Sequence, residues 1–520
     1  MMLRRHLLLS AAGGSLLPSI LRAQVAPAAI TRDAARPLLP SGLQSGDVLA
    51  DRAIVWARAS RDARMWIEWS TTSGFANPTR VRGPDLLMDS SDGTGRIDLQ
   101  GLPAGQDIFY RVVLEDFASA NVRSPAVQGH FRTPLAAGMP ATRPLRLVWS
   151  GDTAGQGFGI NEAFGGMRIY EAMRRTDPDV FLHSGDTIYA DGPIAAQMKL
   201  RDGTLWKNLV TPEVAKVAET LDEFRGRHRY NLMDANVRAL GSEVAQIWQW
   251  DDHEVVNNWS PSKQLDERYQ TKDINTLVGR ARQAWLEYAP MRLQRADGGG
   301  RIYRKLSYGP LLDVFVLDMR SYRGGNDDNL GGEKPFLGSE QLDWLKRELK
   351  ASTAQWKVIA ADMPIGLGVP DGEVTPGVPR WEAIANGDPG PAQGRELEIA
   401  ELLAFLRAQK VRNHVWLTAD VHYCAAHHYH PDRAAFQDFE PFWEFVAGPL
   451  NAGSFGPNPL DKTFGPEVVF EKAPPAQNTS PFAGFQFFGE VQIDGQTAEL
   501  TVTLRDLDGV SVFQQKLQPV

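Results

Sequence analysis

The sequence predicts an α/β sandwich over residues 145–520, preceded by a small all-β sandwich over 40–134. In the first region, short apolar stretches alternate with period two and are separated by turn-rich segments such as Ser90-Ser91-Asp92-Gly93, the pattern of strands that bury one face. In the second, apolar runs alternate with amphipathic helical patterns, as expected of largely buried strands covered by helices. Residues 135–144, rich in Pro, Gly and Ala, read as the linker. At 520 residues the chain is also too long for a single core.

Taken in order, Ala53-Ile54-Val55-Trp56-Ala57, Met65-Trp66-Ile67-Glu68-Trp69 and Ile108-Phe109-Tyr110-Arg111-Val112-Val113 are strands of the first region. Leu102-Pro103-Ala104-Gly105 leading into Phe109-Tyr110-Arg111 resembles the tyrosine-bearing strand of fibronectin/Ig-like modules. No catalytic cluster falls here, so the region reads as a packing or lid domain, or else as a ligand-binding module. Beyond the linker, strands are expected at 145–149, 180–183, 246–250, 312–317, 358–361 and 415–418, with helices at 167–175 and 396–409. Another helix, opened by Ser339 as N-cap, lies between the strands at 312–317 and 358–361. Residues 490–493, 499–504 and 511–515 form an antiparallel meander completing a sheet, and 451–484 is an irregular loop passing near the site mouth.

With 43% hydrophobic and 23% charged residues the composition is that of an ordinary globular protein. A formal net charge of −8 gives no general attraction to nucleic acid, so no stable nucleic-acid partner is expected. An anionic substrate must be drawn in by local positive charge, which bound metal ions can supply. Residues 1–29 read as an export signal, with Arg4-Arg5, an apolar run from Leu7, and small residues suited to cleavage between Gln24 and Ile30. The arginine pair resembles a signal for the twin-arginine export machinery, and an ordinary secretory signal is the alternative. Prolines and an arginine interrupt the run before the roughly 20 apolar residues a membrane span needs, so no transmembrane anchor is expected in a periplasmic or secreted mature chain. Cys424 is the single cysteine, which excludes an intrachain disulfide and reads as a buried thiol.

The chemistry sits where strands end. Strands run into Asp152, into Gly185-Asp186, into Asp251-Asp252-His253-Glu254, into Asp318 and into Asp420-Val421-His422. Ligands of open α/β sheets gather beyond the carboxyl ends of the strands, so these residues should converge. Each piece alone also fits a turn or a helix cap. Together, carboxylates facing one another repel unless cations neutralise them, and a polynuclear metal site resolves this.

Ser150-Gly151-Asp152, Gly185-Asp186-Thr187-Ile188-Tyr189, Trp250-Asp251-Asp252-His253-Glu254-Val255-Val256-Asn257-Asn258-Trp259, Leu317-Asp318-Met319-Arg320-Ser321-Tyr322-Arg323 and Asp420-Val421-His422 resemble the motifs of PhoD-like alkaline phosphatases. Gln44-Ser45-Gly46-Asp47 and Ile54-Val55-Trp56-Ala57-Arg58 resemble that family's amino-terminal sandwich. The resemblance implies a four-layer metallophosphatase-like α/β sandwich, export in folded form, and hydrolysis of phosphate monoesters and diesters by metal-activated water at ferric iron paired with calcium. It implies Asp186 as the bridging carboxylate, Asp152, Tyr189 and His422 on the iron side, and Asp252, Asn257 and Asp420 on the calcium side. Some members carry a cysteine where this chain has Asp152, so manganese or zinc stays open as an alternative to iron.

Arg320, with the planar fork that suits phosphate, is expected to clamp the phosphoryl group or to pair with Asp318. Asn257 and Tyr322 are further substrate-binding candidates, and His253 contacts the phosphate, protonates the leaving oxygen, or orients a ligand. The substrate class is a small phosphate ester or a lipid or nucleotide diester, the latter pointing to a phosphodiesterase or phospholipase D-like enzyme on the same residues. A secreted calcium-binding recognition module is the reading from another class. His422, Tyr189 and Arg320 speak against it, because structural calcium needs only oxygen ligands.

Overall fold

The strand Leu145–Ser150 runs parallel to Val180–Ser184, which runs parallel to Ala245–Gln249, and these three lie at the centre of a nine-stranded sheet. The computed structural model that shows this describes residues 33–293 and 300–520. The expected export signal lies outside the described residues. A seven-stranded sheet has its own parallel core, formed by Leu312–Val316, Trp356–Ala360, His414–Thr418 and Phe442–Val446. The two sheets pack face to face. Leu147, Trp149, Leu182 and Ile247 of the first meet Val314, Val358, Val415 and Leu417 of the second, all of them buried.

Helices cover both outer faces. On the seven-stranded side, Leu342, Leu345 and Leu349 of the helix Ser339–Ala351 and Ile399, Leu402 and Leu406 of Glu396–Ala408 bury against Phe315, Ile359 and Trp416. The spacing of three and four residues places each set on one face of its helix. On the nine-stranded side, Ile169 and Met173 of Arg168–Arg174 pack on Val148 and Phe181, while Leu277, Ala281 and Trp285 of Ile274–Tyr288 pack on Trp248. The result is the expected four-layer α/β sandwich.

The meander Phe487–Ile493, Leu500–Asp506 and Ser511–Leu517 extends the nine-stranded sheet antiparallel to Leu145–Ser150. At the other end, the amino-terminal region departs from a self-contained sandwich. Of its seven strands, Leu43–Leu49, Arg52–Arg58 and Thr94–Gln100 continue the same nine-stranded sheet, Leu43–Leu49 lying parallel to Ala245–Gln249. The other four form a separate sheet, and Val55, Met65, Ile67, Tyr110 and Val112 fill the core between the two. A buried ion pair, Asp47 with Arg304 at 2.8 Å, fastens this region to residues far along the chain. The division at 135–144 is therefore a connection in sequence across which one sheet is shared. Alternation gave the strands; it carries no information on which long-range partner each one finds.

Two local expectations are corrected. Ser339 is the first residue of its helix, and the N-cap is Gly338 with no side-chain cap. Instead the Glu398 carboxylate, from the neighbouring helix, accepts the N–H groups of Phe336, Leu337 and Gly338. The segment 451–484 is mostly irregular, but Pro466–Lys472 within it is an edge strand of the seven-stranded sheet. Among the described residues no helix is long and apolar enough to cross a membrane.

Candidate metal centre

Four of the central parallel strands deliver acidic residues to the same end of the sandwich: Asp152 after Leu145–Ser150, Asp186 after Val180–Ser184, Asp251 and Asp252 after Ala245–Gln249, and Asp420, with His422, after His414–Thr418. The turns that do this are sharp. Asp152, Asp186, Asp420 and His422 all have positive φ, between 52° and 70°, a backbone region that costs a side-chain-bearing residue free energy and recurs at functional sites. Gly185, at φ 95°, has no room for a side chain because a Cβ would lie 2.5 Å from that of Asp251. A Cβ on Gly448 would lie 2.5 Å from Oδ2 of Asp152. Glu254 then ties two of these turns together, its carboxylate accepting the N–H groups of Asp186, Thr187 and Asp251.

Three overlapping groups converge: Asp152, Asp186 and His422; Asp186, Asp252 and His253; Asp251, Asp252 and Asp420. Within each group the potential ligand atoms lie within 4.8 Å of one another, as required for atoms each bound about 2.0–2.4 Å from one ion. Asp186 and Asp252 each belong to two of these groups. Tyr189 joins the first through its hydroxyl, 2.9 Å from Nε2 of His422, and that nitrogen is 3.5 Å from Asp152 Oδ1. The other ring nitrogen of His422 donates to the Gly453 carbonyl, which leaves the Nε2 lone pair facing the cluster.

The electrostatics require cations. Burial, then the charges of neighbouring carboxylates, push Asp152, Asp186 and Asp420 well above the usual carboxylate range. Both oxygens of Asp152 and Oδ1 of Asp252 are buried without a hydrogen-bond partner. Orphaned, mutually repelling carboxylates at strand ends are what a metal cluster satisfies, and the residues present fit one. Burial lowers His422 to about 4, so its imidazole is neutral and free to ligate near pH 7. Burial works against charge on His253 as well, but Asp191 and Asp252 outweigh it and raise its pKa to about 9.

A cavity of about 420 Å³ opens over the cluster, with Asp186, Asp252, His253, Asn257, Asp420 and His422 in its walls. Asp152 and Tyr189 are buried and are not among its walls. Asn257 also donates its backbone N–H to Asp191. Among the described residues no lysine or arginine lines the cavity.

The expectations for Arg320 and Tyr322 are corrected here. The Arg320 guanidinium is fully buried and is taken by carboxylates: Asp251 at 2.5 Å, Asp362 at 3.5 Å, and Glu382. It cannot reach a phosphoryl group without abandoning them, and its guanidinium is not paired with Asp318, whose carboxylate accepts the backbone N–H groups of Arg320 and Ser321 and the indole N–H of Trp250. Tyr322 is half-exposed with its ring 5.7 Å from Tyr303, away from the cavity walls. Sequence reasoning missed Asp191, whose Oδ1 lies 2.7 Å from Nδ1 of His253, as well as Asp362 and Glu382. Asp362 follows the strand Trp356–Ala360 by two residues, so the strand-then-acid pattern that found the others applies to it equally. Asp191 and Glu382 sit in loops with no such signal.

Residues 147–504 match the model of the PhoD-like phosphatase family, and residues 24–135 match that of the PhoD-like phosphatase N-terminal domain. The chain is 26% identical over 469 residues to alkaline phosphatase D of Bacillus subtilis (strain 168), a match covering 85% of this chain and 74% of that protein. The fold resembles a solved structure of PhoD, with TM-score 0.67 at 20% identity over 93% of this chain and 92% of the other. It also resembles purple acid phosphatase PPD1 from yellow lupin seeds, with TM-score 0.54 at 13% identity over 93% of this chain and 74% of the other. With the family model spanning more than half its length and a cluster of metal-ligating groups at the strand ends, the chain belongs to the PhoD-like phosphatase family and is a phosphoric ester hydrolase.

Proposed function

We propose that the chain is an exported, metal-dependent phosphoesterase acting on phosphate monoesters and diesters with water as the nucleophile. The observation that carries this reading is Asp186, which belongs to two of the groups of ligating atoms beneath a cavity with no lysine or arginine among its described walls. Bound cations supply the missing positive charge at the phosphoryl oxygens and acidify the attacking water. Asp152, Asp186, Tyr189 and His422 offer carboxylate, phenol and imidazole, a donor set suited to ferric iron; Asp252, Asn257 and Asp420 offer hard oxygens suited to calcium. Manganese or zinc in the same positions is the alternative. His253, held by Asp191 and lining the cavity, is placed to protonate the departing oxygen. Arg4-Arg5 and the apolar run after it support export through the twin-arginine route.

A phosphodiesterase or phospholipase D-like preference would use the same residues. The test is hydrolysis of p-nitrophenyl phosphate and bis-p-nitrophenyl phosphate before and after chelation. Activity lost on chelation and restored by metal supports the reading. A chain that binds calcium but cleaves neither ester is a recognition module instead.

A further inference from the structure

A second cavity of about 420 Å³ lies beside the one over the cluster. It is formed between the hairpin Gln197–Lys199 with Leu205–Lys207 and the segment 477–483. The two spaces adjoin: Gln477 contributes to the walls of both, and Gln156 in the first is two residues from Phe158 in the second. Gln156 Oε1 is buried and has no hydrogen-bond partner among the described residues. The two volumes thus share a wall, and the second is a groove lying beside the candidate metal centre.

The second space has a chemistry of its own. Phe158, Met198, Leu200 and Phe482 make its walls apolar. Phe482 is 45% exposed, yet its ring is backed by Trp206 at 4.7 Å and Phe164 at 5.1 Å between centroids. An exposed aromatic ring held in place by other rings is a platform for stacking a flat group. Lys199 and Arg201 stand at the hairpin tip, and neither forms an ion pair among the described residues; Arg201 donates to the Gln477 carbonyl at 2.8 Å. The neighbouring Asp202 carboxylate is occupied by the N–H and hydroxyl of Thr204. In a chain of net charge −8 whose metal cavity has no lysine or arginine among its described walls, these two side chains offer positive charge to a second anionic group of the substrate.

We propose that this groove is the subsite for the second ester arm of a phosphodiester, and that it takes a nucleoside-like arm. The flat ring lies against Phe482, and a further phosphate on that arm meets Lys199 and Arg201. The proposal rests on the phosphoesterase reading above and adds to it a substrate class. It concerns small nucleotide diesters, for which the overall negative charge is no obstacle.

The test compares wild type, Phe482→Ser and the double variant Lys199→Gln/Arg201→Gln on esters that release the same p-nitrophenol. These are methyl p-nitrophenyl phosphate, the p-nitrophenyl ester of thymidylate, and that ester carrying a further phosphate on its sugar. Phe482→Ser should lower kcat/KM roughly tenfold on both thymidylate esters while leaving the methyl ester within about twofold. The double variant should lower kcat/KM roughly tenfold on the phosphorylated ester alone. All three positions are exposed, and thermal unfolding checks that the fold is kept. Equal losses on the methyl and thymidylate esters, or no loss on the thymidylate esters, overturn the subsite. A diacylglycerol p-nitrophenyl phosphodiester is assayed alongside these, and a loss confined to it overturns the nucleoside assignment. Wild-type protein inert toward every ester would refute the phosphoesterase reading itself.

Discussion

Nδ1 of His253 lies 2.7 Å from Oδ1 of Asp191, and the Asp191 carboxylate also accepts the backbone N–H of Asn257 at 3.0 Å. One carboxylate therefore sets both the ring orientation of His253 and the path of the loop carrying Asn257. Asp191 and Asp252 are what raise His253 against the effect of burial.

Asp191→Asn is accordingly expected to lower the His253 pKa. If protonated His253 assists departure of the leaving oxygen, activity is present below that pKa and lost as pH rises through it, so the alkaline limb of the kcat/KM profile should move to lower pH. The fall in rate should reach roughly tenfold or more for alkyl esters and be small for p-nitrophenyl esters, whose leaving group needs little protonation. Unchanged profiles on both would remove the acid role.

The reach of the sequence follows from what each signal encodes. Strand-then-acid punctuation placed Asp152, Asp186, Asp252 and Asp420 at one end of a sandwich, because buried parallel strands are apolar throughout and end where their ligands begin. It could not tell a cavity-facing side chain from one turned into the protein. Arg320 stands in such a motif, yet it neutralises Asp251, Asp362 and Glu382, and two of those partners lie 42 and 62 residues further along the chain. The merging of the amino-terminal strands with the catalytic sheet was equally hidden, since the pairing of Gly46 with Gln246 spans 200 residues.

Removing the Arg320 charge should act on stability before substrate binding. Arg320→Leu leaves the buried Asp251 and Asp362 without their counter-charge, while Glu382 keeps Arg323 at 2.9 Å, a loss of about 3–5 kcal/mol by comparison with other broken buried pairs. Denaturant unfolding checks this. A variant of unaltered stability with a raised KM would restore the phosphate clamp.

Tyr189→Phe tests the iron assignment. A phenol held in this buried, acidic setting has its pKa raised, by burial first and then by Asp186 and Asp152, so only a strongly charged cation would keep it as phenolate. Ferric iron bound there would give a visible charge-transfer band, and Tyr189→Phe should bleach it and release iron. A colourless, active wild-type protein containing zinc or manganese alone would contradict iron and leave hydrolysis intact.

The central claim is that Asp186 is shared by the cations on which hydrolysis depends. The most direct measurement is metal content and p-nitrophenyl phosphate hydrolysis of wild type and Asp186→Asn, prepared side by side with thermal unfolding as a check on the fold. Wild type should hold at least two metal equivalents, and the variant should lose metal together with activity, the latter by roughly a thousandfold or more, with the fold retained. A folded Asp186→Asn protein that keeps its full metal content and its activity would contradict it.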